Sequence, residues 1–175
     1  GKNITVITLA GPDSDFFGLS GQVRRIVIGG QSNSGSLIGG IVANLFRVRA
    51  LRRCIRQFNP TVCVGFIGQT NILLTLAALG LPSRTVISER NDPRRQSIDR
   101  LWDLLRKRVY PLASLVTANS HEVLTALEAY VPADKLAYLP NPLATSAIQE
   151  EPGEREKTII AVGRLHHQKA HDILI

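Results

Sequence analysis

The feature that most constrains this 175-residue chain is its alternation of short β-branched runs with longer stretches of helical period. Ile4-Thr5-Val6-Ile7-Thr8-Leu9 ends at Gly11-Pro12, and the run from Gln22 to Ile28 closes at Gly29-Gly30. Both read as short strands bounded by turn residues. After a polar loop over Ser32 to Ser36, Leu37, Ile41, Leu45, Val48, Leu51 and Ile55 recur every three or four residues as far as Phe58. That spacing predicts a helix with one apolar stripe, and Arg47, Arg49, Arg52, Arg53 and Arg56 fall mostly between the stripe positions. Asn59-Pro60 stops it. The same reading places strands at 62–66, 84–88, 115–118 and 136–139, and helices at 71–79, 98–112 and 122–129. Strands joined through helices over short connections form a mostly parallel sheet with helices on both faces, so the expected class is α/β.

The composition shifts after Pro140-Asn141-Pro142. Residues 144–157 are polar and charged, with Glu150, Glu151, Glu154 and Glu156 among them, and read as a linker. Thr158-Ile159-Ile160-Ala161-Val162-Gly163 then restarts as a buried strand ending in glycine. The expected organisation is a first domain over 1–143, a linker over 144–157 and the start of a second α/β domain over 158–175. The chain opens at Gly1 directly into a strand pattern, contains no Met, and ends at His171 to Ile175 within a helical pattern. Both ends therefore read as cut.

Charge is unevenly spread. Residues 1–108 carry 16 Lys and Arg against 6 Asp and Glu, whereas residues 109–175 carry 5 against 8. A basic half calls for an anionic neighbour: a phosphorylated substrate, an anionic lipid surface or a nucleic acid. No apolar run approaches the roughly 18 residues that span a bilayer, and no charged-then-apolar leader is present, so the expected setting is cytoplasmic. Cys54 and Cys63 lack metal-ligand spacing and read as reduced thiols, which agrees with that setting. His121, His166, His167 and His171 have no convincing metal-ligand company, so no protein-held metal is expected.

The sharpest chemical signal is Val162-Gly163-Arg164-Leu165-His166-His167-Gln168-Lys169-Ala170-His171-Asp172. A strand end, a glycine that allows a sharp turn, and a helix start whose N–H groups are unpaired make a seat for a diphosphate. Arg164 can fork onto phosphate oxygens and Lys169 supplies a point charge. Taken alone, the same two cations read equally well as solvated surface groups.

This segment resembles the "GRL…QKG-x-D-x-LI" signature that opens the carboxyl-terminal domain of glycosyltransferase family 4, the retaining enzymes with the two-domain GT-B fold. The resemblance implies that Gly163, Arg164 and Lys169 bind the donor, with Arg164 and Lys169 on its diphosphate. Ala170 departs from the usual glycine. Val116-Thr117-Ala118-Asn119-Ser120 is similar to the family's "TANS" junction, where Asn119 or Ser120 serves equally well as a helix cap. Leu139-Pro140-Asn141-Pro142 is similar to its "PNP" element, which reads first as a rigid turn. Ser88-Glu89-Arg90-Asn91-Asp92-Pro93 resembles the "SERN-x-P" stretch of members that add sugars, often N-acetylhexosamines, to lipid-linked or polysaccharide acceptors. Glu89, Arg90, Asn119 and Ser120 are accordingly the acceptor-side candidates, and the bland reading of Glu89 and Arg90 is a surface ion pair. Two family features are missing: the glycine-rich loop would lie upstream of Gly1, and the "E-x7-E" motif beyond Ile175.

Arg94, Arg95, Arg100, Arg106, Lys107 and Arg108 flank Leu101, Trp102, Leu104 and Leu105. A basic amphipathic helix of this kind either lies on anionic lipid or packs its apolar stripe on the sheet with a solvated cationic face. The expected function is a retaining glycosyltransferase taking a sugar from a nucleotide diphosphosugar to a lipid-linked or polysaccharide acceptor, without a cofactor or an essential divalent metal. On that reading nucleic acid is not a partner, and the fragment is inactive alone. The alternatives are a non-catalytic basic module that binds a polyanion and another two-domain nucleotide-sugar enzyme such as an epimerase.

Overall fold

The structure is a computed structural model and describes residues 3–11, 13, 18–29, 37–95, 99–142, 162, 163 and 173. The chain divides into a compact unit over Gly1–Asn141 and a second over Pro142–Ile175. Nearly all described residues belong to the first unit. The strand and helix expected at 158–175 lie outside the described residues, apart from Val162, Gly163 and Ile173.

In the first unit, β1 (Thr5–Thr8) pairs in parallel with β2 (Arg24–Val27). The helix α1 (Leu37–Phe58) leads to β3 (Val62–Phe66), followed by α2 (Gly68–Ala78), β4 (Arg84–Glu89), α3 (Arg100–Val109), β5 (Leu115–Ala118), α4 (His121–Leu127) and β6 (Leu136–Tyr138). The last four strands form one sheet in the order β3-β4-β5-β6. Every pair is parallel, with Gly65 opposite Ile87, Ile87 opposite Val116 and Ala118 opposite Tyr138. The chain is therefore an α/β protein with parallel sheets, as the alternation in the sequence requires.

Two differences from the expected boundaries have local causes. The helix expected from residue 71 begins at Gly68, because Ile67 takes a left-handed turn at φ 74° and delivers the chain into the helix early. The helix expected over 98–112 is α-helical only over Arg100–Val109 and finishes as a 3-10 turn over Tyr110–Leu112, where Pro111 lacks the N–H needed to continue.

One apolar cluster joins Ile72 of α2, Ile87 of β4, Val116 and Ala118 of β5, and Val123 and Leu127 of α4, with Val109 and Tyr110 closing it. Along β4 and β5 the inward residues alternate, so α2 and α4 share the face that carries Ile87, Val116 and Ala118. On the other face of β3, Val62, Val64 and Phe66 are 44%, 53% and 50% exposed. A second cluster packs Leu51 and Ile55 of α1 on Leu73, Leu74, Ala77 and Ala78 of α2. Arg52, on α1, donates to the carbonyls of Ala77 and Leu79 at 2.8 and 2.7 Å. It thereby satisfies the open end of α2 and complements its dipole. Trp102 of α3 packs against both clusters.

The approach of α2 to β3 is set by Gly65. A Cβ there would lie 2.8 Å from Asn71 Oδ1 and 2.9 Å from a Leu74 methyl. Only a residue without a side chain lets the helix sit this low on the strand. Gly65→Ala should therefore cost about 1–3 kcal/mol of stability, as overpacking does. Urea unfolding checks this, and a midpoint equal to that of the parent chain would contradict it.

Candidate functional site

Parallel pairing brings the carboxyl ends of β3, β4, β5 and β6 to one edge of the sheet, where open α/β proteins hold their ligands. At that edge lie Phe66 and Ile67, then Glu89 to Asn91, then Asn119 and Ser120, and finally Leu139 to Asn141. The ladder runs on past β6, since Leu139 N–H donates to the Ala118 carbonyl at 2.8 Å.

Arg90 is the best-held cation at this edge. Its Nε donates to Ser88 Oγ at 3.0 Å, another guanidinium nitrogen donates to Asn141 Oδ1, and its guanidinium carbon stands 5.6 Å from the centre of the Phe66 ring. The side chain thus ties together the ends of β3 and β4 and the segment after β6. A guanidinium fixed on three sides is oriented before any ligand arrives, which lowers the ordering cost of binding an anion.

Glu89 is neither exposed to a ligand nor part of a surface ion pair. It is 2% exposed. Its Oε1 accepts from the backbone N–H of Arg90 at 3.1 Å and of Asn91 at 3.5 Å. Its Oε2 accepts from the Tyr110 hydroxyl at 2.6 Å. Arg106, itself 4% exposed, holds its Nε 4.0 Å from the same Oε2. At those distances the tyrosine hydroxyl makes the bond and the guanidinium contributes field only. Asn71 Nδ2 donates to the Ser88 carbonyl at 3.1 Å and to the Tyr110 oxygen at 3.3 Å, linking α2 to the same group. The carboxylate therefore braces the loop that carries Arg90 from behind.

The other acceptor-side candidates divide. Ser120 caps α4, with its Oγ accepting from Val123 N–H at 3.3 Å, so the capping alternative is the one observed. Asn119 is half-buried, with no side-chain hydrogen bond among the described residues. Next to the cap, the Glu122 carboxyl is held below its ordinary range by its own backbone N–H and by Ser120. Just beyond Asn91, Asp92 accepts from Arg94 N–H and from its guanidinium, which holds the carboxyl below its ordinary range. Gly163 is exposed, and Arg164 and Lys169 lie outside the described residues.

Ile67 follows β3 at the same edge. A β-branched side chain at φ 74° is strained, and this one is 62% exposed at the head of α2. Tyr110 and Asn71 had no site role in the reading of the sequence, and Arg106 entered it only as one cation of the basic stretch around Trp102. Asn71 left no signal there, since it follows Gln69 and Thr70 at the border of the apolar run Ile72-Leu73-Leu74. Among the described residues no group of three or more His, Cys, Asp or Glu side chains is placed to hold a metal. Both Cys54 and Cys63 are free, and burial pushes the Cys63 thiol up.

Residues 1–147 match the model of Glycosyltransferase Family 4, and the chain belongs to that family. One curated relative, from Campylobacter jejuni, is 26% identical over 120 residues, which are 69% of this chain and 33% of that protein. It is named GalNAc-alpha-(1->4)-GalNAc-alpha-(1->3)-diNAcBac-PP-undecaprenol alpha-1,4-N-acetyl-D-galactosaminyltransferase. The chain's match thus spans about a third of the length of that relative. Among solved structures, UDP-N-acetylglucosamine 2-epimerase from Rickettsia bellii superposes with a TM-score of 0.52 at 10% identity, covering 78% of this chain and 44% of that one. This likeness supports the Rossmann-like α/β fold.

Burial disfavours ionisation of both tyrosines near Glu89. Tyr110 is pushed far above its ordinary 10.0, and Tyr130 up to about 12. The folded chain therefore keeps protons that the unfolded chain releases above pH 10, so stability is full below that value and falls as pH rises beyond it. Urea unfolding between about pH 8 and 11 should show that decline, with Tyr130→Phe making it shallower. An equally steep decline in the variant would contradict the assignment.

Proposed function

We propose that the chain is the acceptor-side part of a retaining glycosyltransferase that moves a sugar from a nucleotide diphosphosugar to a lipid-linked glycan. What carries this reading is family 4 membership together with Arg90, a pre-oriented guanidinium at the ligand edge of the sheet. Arg90 is assigned to the anionic part of the acceptor, with Asn119 beside it. Glu89 and Ser120 act behind them by holding the loop and the helix start. A second domain beginning near residue 158 binds the donor, and there Arg164 and Lys169 neutralise the charge that develops on the departing diphosphate. The relative's name, an N-acetylgalactosaminyltransferase acting on a PP-undecaprenol glycan, supports an N-acetylhexosamine and a lipid-linked acceptor.

A lipid-linked acceptor brings the enzyme to a membrane surface, and α3 supplies a suitable face. Leu101 and Leu104 are each 53% exposed, and Arg100, Lys107 and Arg108 lie around them. Trp102 packs inside, so the leucines are the groups left for lipid. No helix of the described residues is long and apolar enough to cross a membrane, so this contact is peripheral. We assign the face to an anionic bilayer on its charge: Asp103, the one acid of α3, is drawn to Arg106 at 3.7 Å. The location that follows is the cytoplasmic face of the cell membrane.

In the two-domain enzyme, Lys169→Ala should reduce transfer by about two orders of magnitude or more without lowering the unfolding midpoint. The same variant should lose the thermal shift given by one of UDP, GDP or ADP. Transfer near the parent rate would overturn the assignment. Steeply salt-dependent binding to nucleic acid without any nucleotide effect would favour the basic binding module instead. Replacing Leu101 and Leu104 together by Ser should weaken co-sedimentation with phosphatidylglycerol vesicles about tenfold or more, at roughly 0.8 kcal/mol per buried CH₂. Unchanged co-sedimentation would remove α3 from the membrane contact.

A further inference from the structure

Tyr110 stands behind the edge that carries Arg90 and reaches it through a single carboxylate. Its hydroxyl is buried, donates to Glu89 Oε2 at 2.6 Å and accepts from Asn71 Nδ2 at 3.3 Å. The other oxygen of the same carboxylate receives the backbone N–H groups of Arg90 and Asn91. Rotation of the carboxyl group therefore moves both ends of this arrangement together.

A second donor lies near Oε2. Arg106 Nε stands 4.0 Å from it, is buried, and has no hydrogen-bond partner among the described residues. A buried guanidinium N–H without a partner is costly, and a charge-assisted bond to Glu89 would satisfy it. With the shorter bond from Tyr110 in place, Oε2 stays out of bonding distance of that nitrogen. If the hydroxyl is removed, the carboxylate is free to turn toward Arg106 by about an ångström, the difference between 4.0 Å and a bonded distance of about 2.9 Å. The Arg90 and Asn91 amides then lose their acceptor, and Arg90 is left held only by its own side chain.

We propose that Tyr110 is a positioning residue. By holding Glu89 Oε2 away from Arg106, it keeps the Arg90 loop in the conformation that receives the anionic part of the acceptor. This rests on the function proposed above, specifically on the acceptor-side role of Arg90.

The test is a double-mutant cycle in the two-domain enzyme, with undecaprenyl diphosphate in detergent micelles as the probe. Affinity is measured for the parent, Tyr110→Phe, Arg90→Ala and the double variant. Tyr110→Phe should weaken binding about tenfold, the worth of one well-placed hydrogen bond to a charged group. In the Arg90→Ala background the same change should have less than a twofold effect. An equal loss in both backgrounds, or no loss in either, overturns the proposal, because a general loss of packing does not depend on Arg90. Glu89→Gln serves as a second route should Tyr110→Phe fold poorly. It removes the charge that both Tyr110 and Arg106 face, and it should show the same dependence on Arg90. A parent enzyme that binds the probe while Arg90→Ala binds equally well overturns the role of Arg90 and this inference with it. A parent enzyme that transfers no sugar and binds no probe overturns the function itself.

Discussion

One buried carboxylate organises the edge of the sheet that carries Arg90. Glu89 sits 2% exposed at the end of β4, and each of its oxygens is used by a different part of the structure. A carboxylate removed from water is tolerated only where hydrogen bonds replace the lost hydration. Here the replacements come from the backbone of the loop that follows, from the 3-10 turn after α3, and through Asn71 from the head of α2. These segments are far apart in sequence, and each approaches the strand end only if the others do. The energetic demand of one charge is thus converted into the relative placement of three elements. Arg90 is positioned as a result, since its own bonds to Ser88 and Asn141 begin from a backbone already fixed.

The low seat of α2 on β3 serves the same end. Gly65 lets Asn71 approach the sheet closely enough to reach both the Ser88 carbonyl and the Tyr110 hydroxyl. A larger residue at 65 would raise the amide away from both partners. These contacts give the chain its particular edge: a held cation, a strained Ile67 and a half-buried Asn119 at the carboxyl ends of the strands.

Much of the fold was legible in the sequence because it rests on periodicity. The strands at 62–66 and 115–118 and the helix at 37–58 have the bounds that the apolar pattern predicts. The early start of α2 was not legible, since a left-handed Ile67 contradicts local preference and is imposed by its surroundings. The site was legible only in outline. A motif resemblance pointed to Glu89 and Arg90, but sequence cannot distinguish a carboxylate facing a ligand from one facing a tyrosine 21 residues later. Arg106 belonged to a run of cations and read as one solvated charge among several, although it is 4% exposed. The role of Arg52 was not legible either, because it depends on where α2 ends. Trp102 and its neighbouring leucines divided between interior and surface, a distinction that helical spacing leaves open when the apolar stripe is wide.

The register of the sheet also governs how the chain assembles over time. No strand of β3 to β6 is joined to its neighbour by a hairpin; the paired positions Val62 and Arg84, Val86 and Leu115, and Val116 and Leu136 are each separated by an entire helix. A hairpin zips from its turn outward, but here every ladder must wait for a crossover to close, at an entropic cost that changes little with the length of the connection. The helices, which form locally and quickly, therefore act as the clamps that draw the strands together. The edge carrying Arg90 is complete only when β3, β4, β5 and the segment after β6 are all in place. A ribosome-bound chain therefore cannot complete it before Asn141 has emerged.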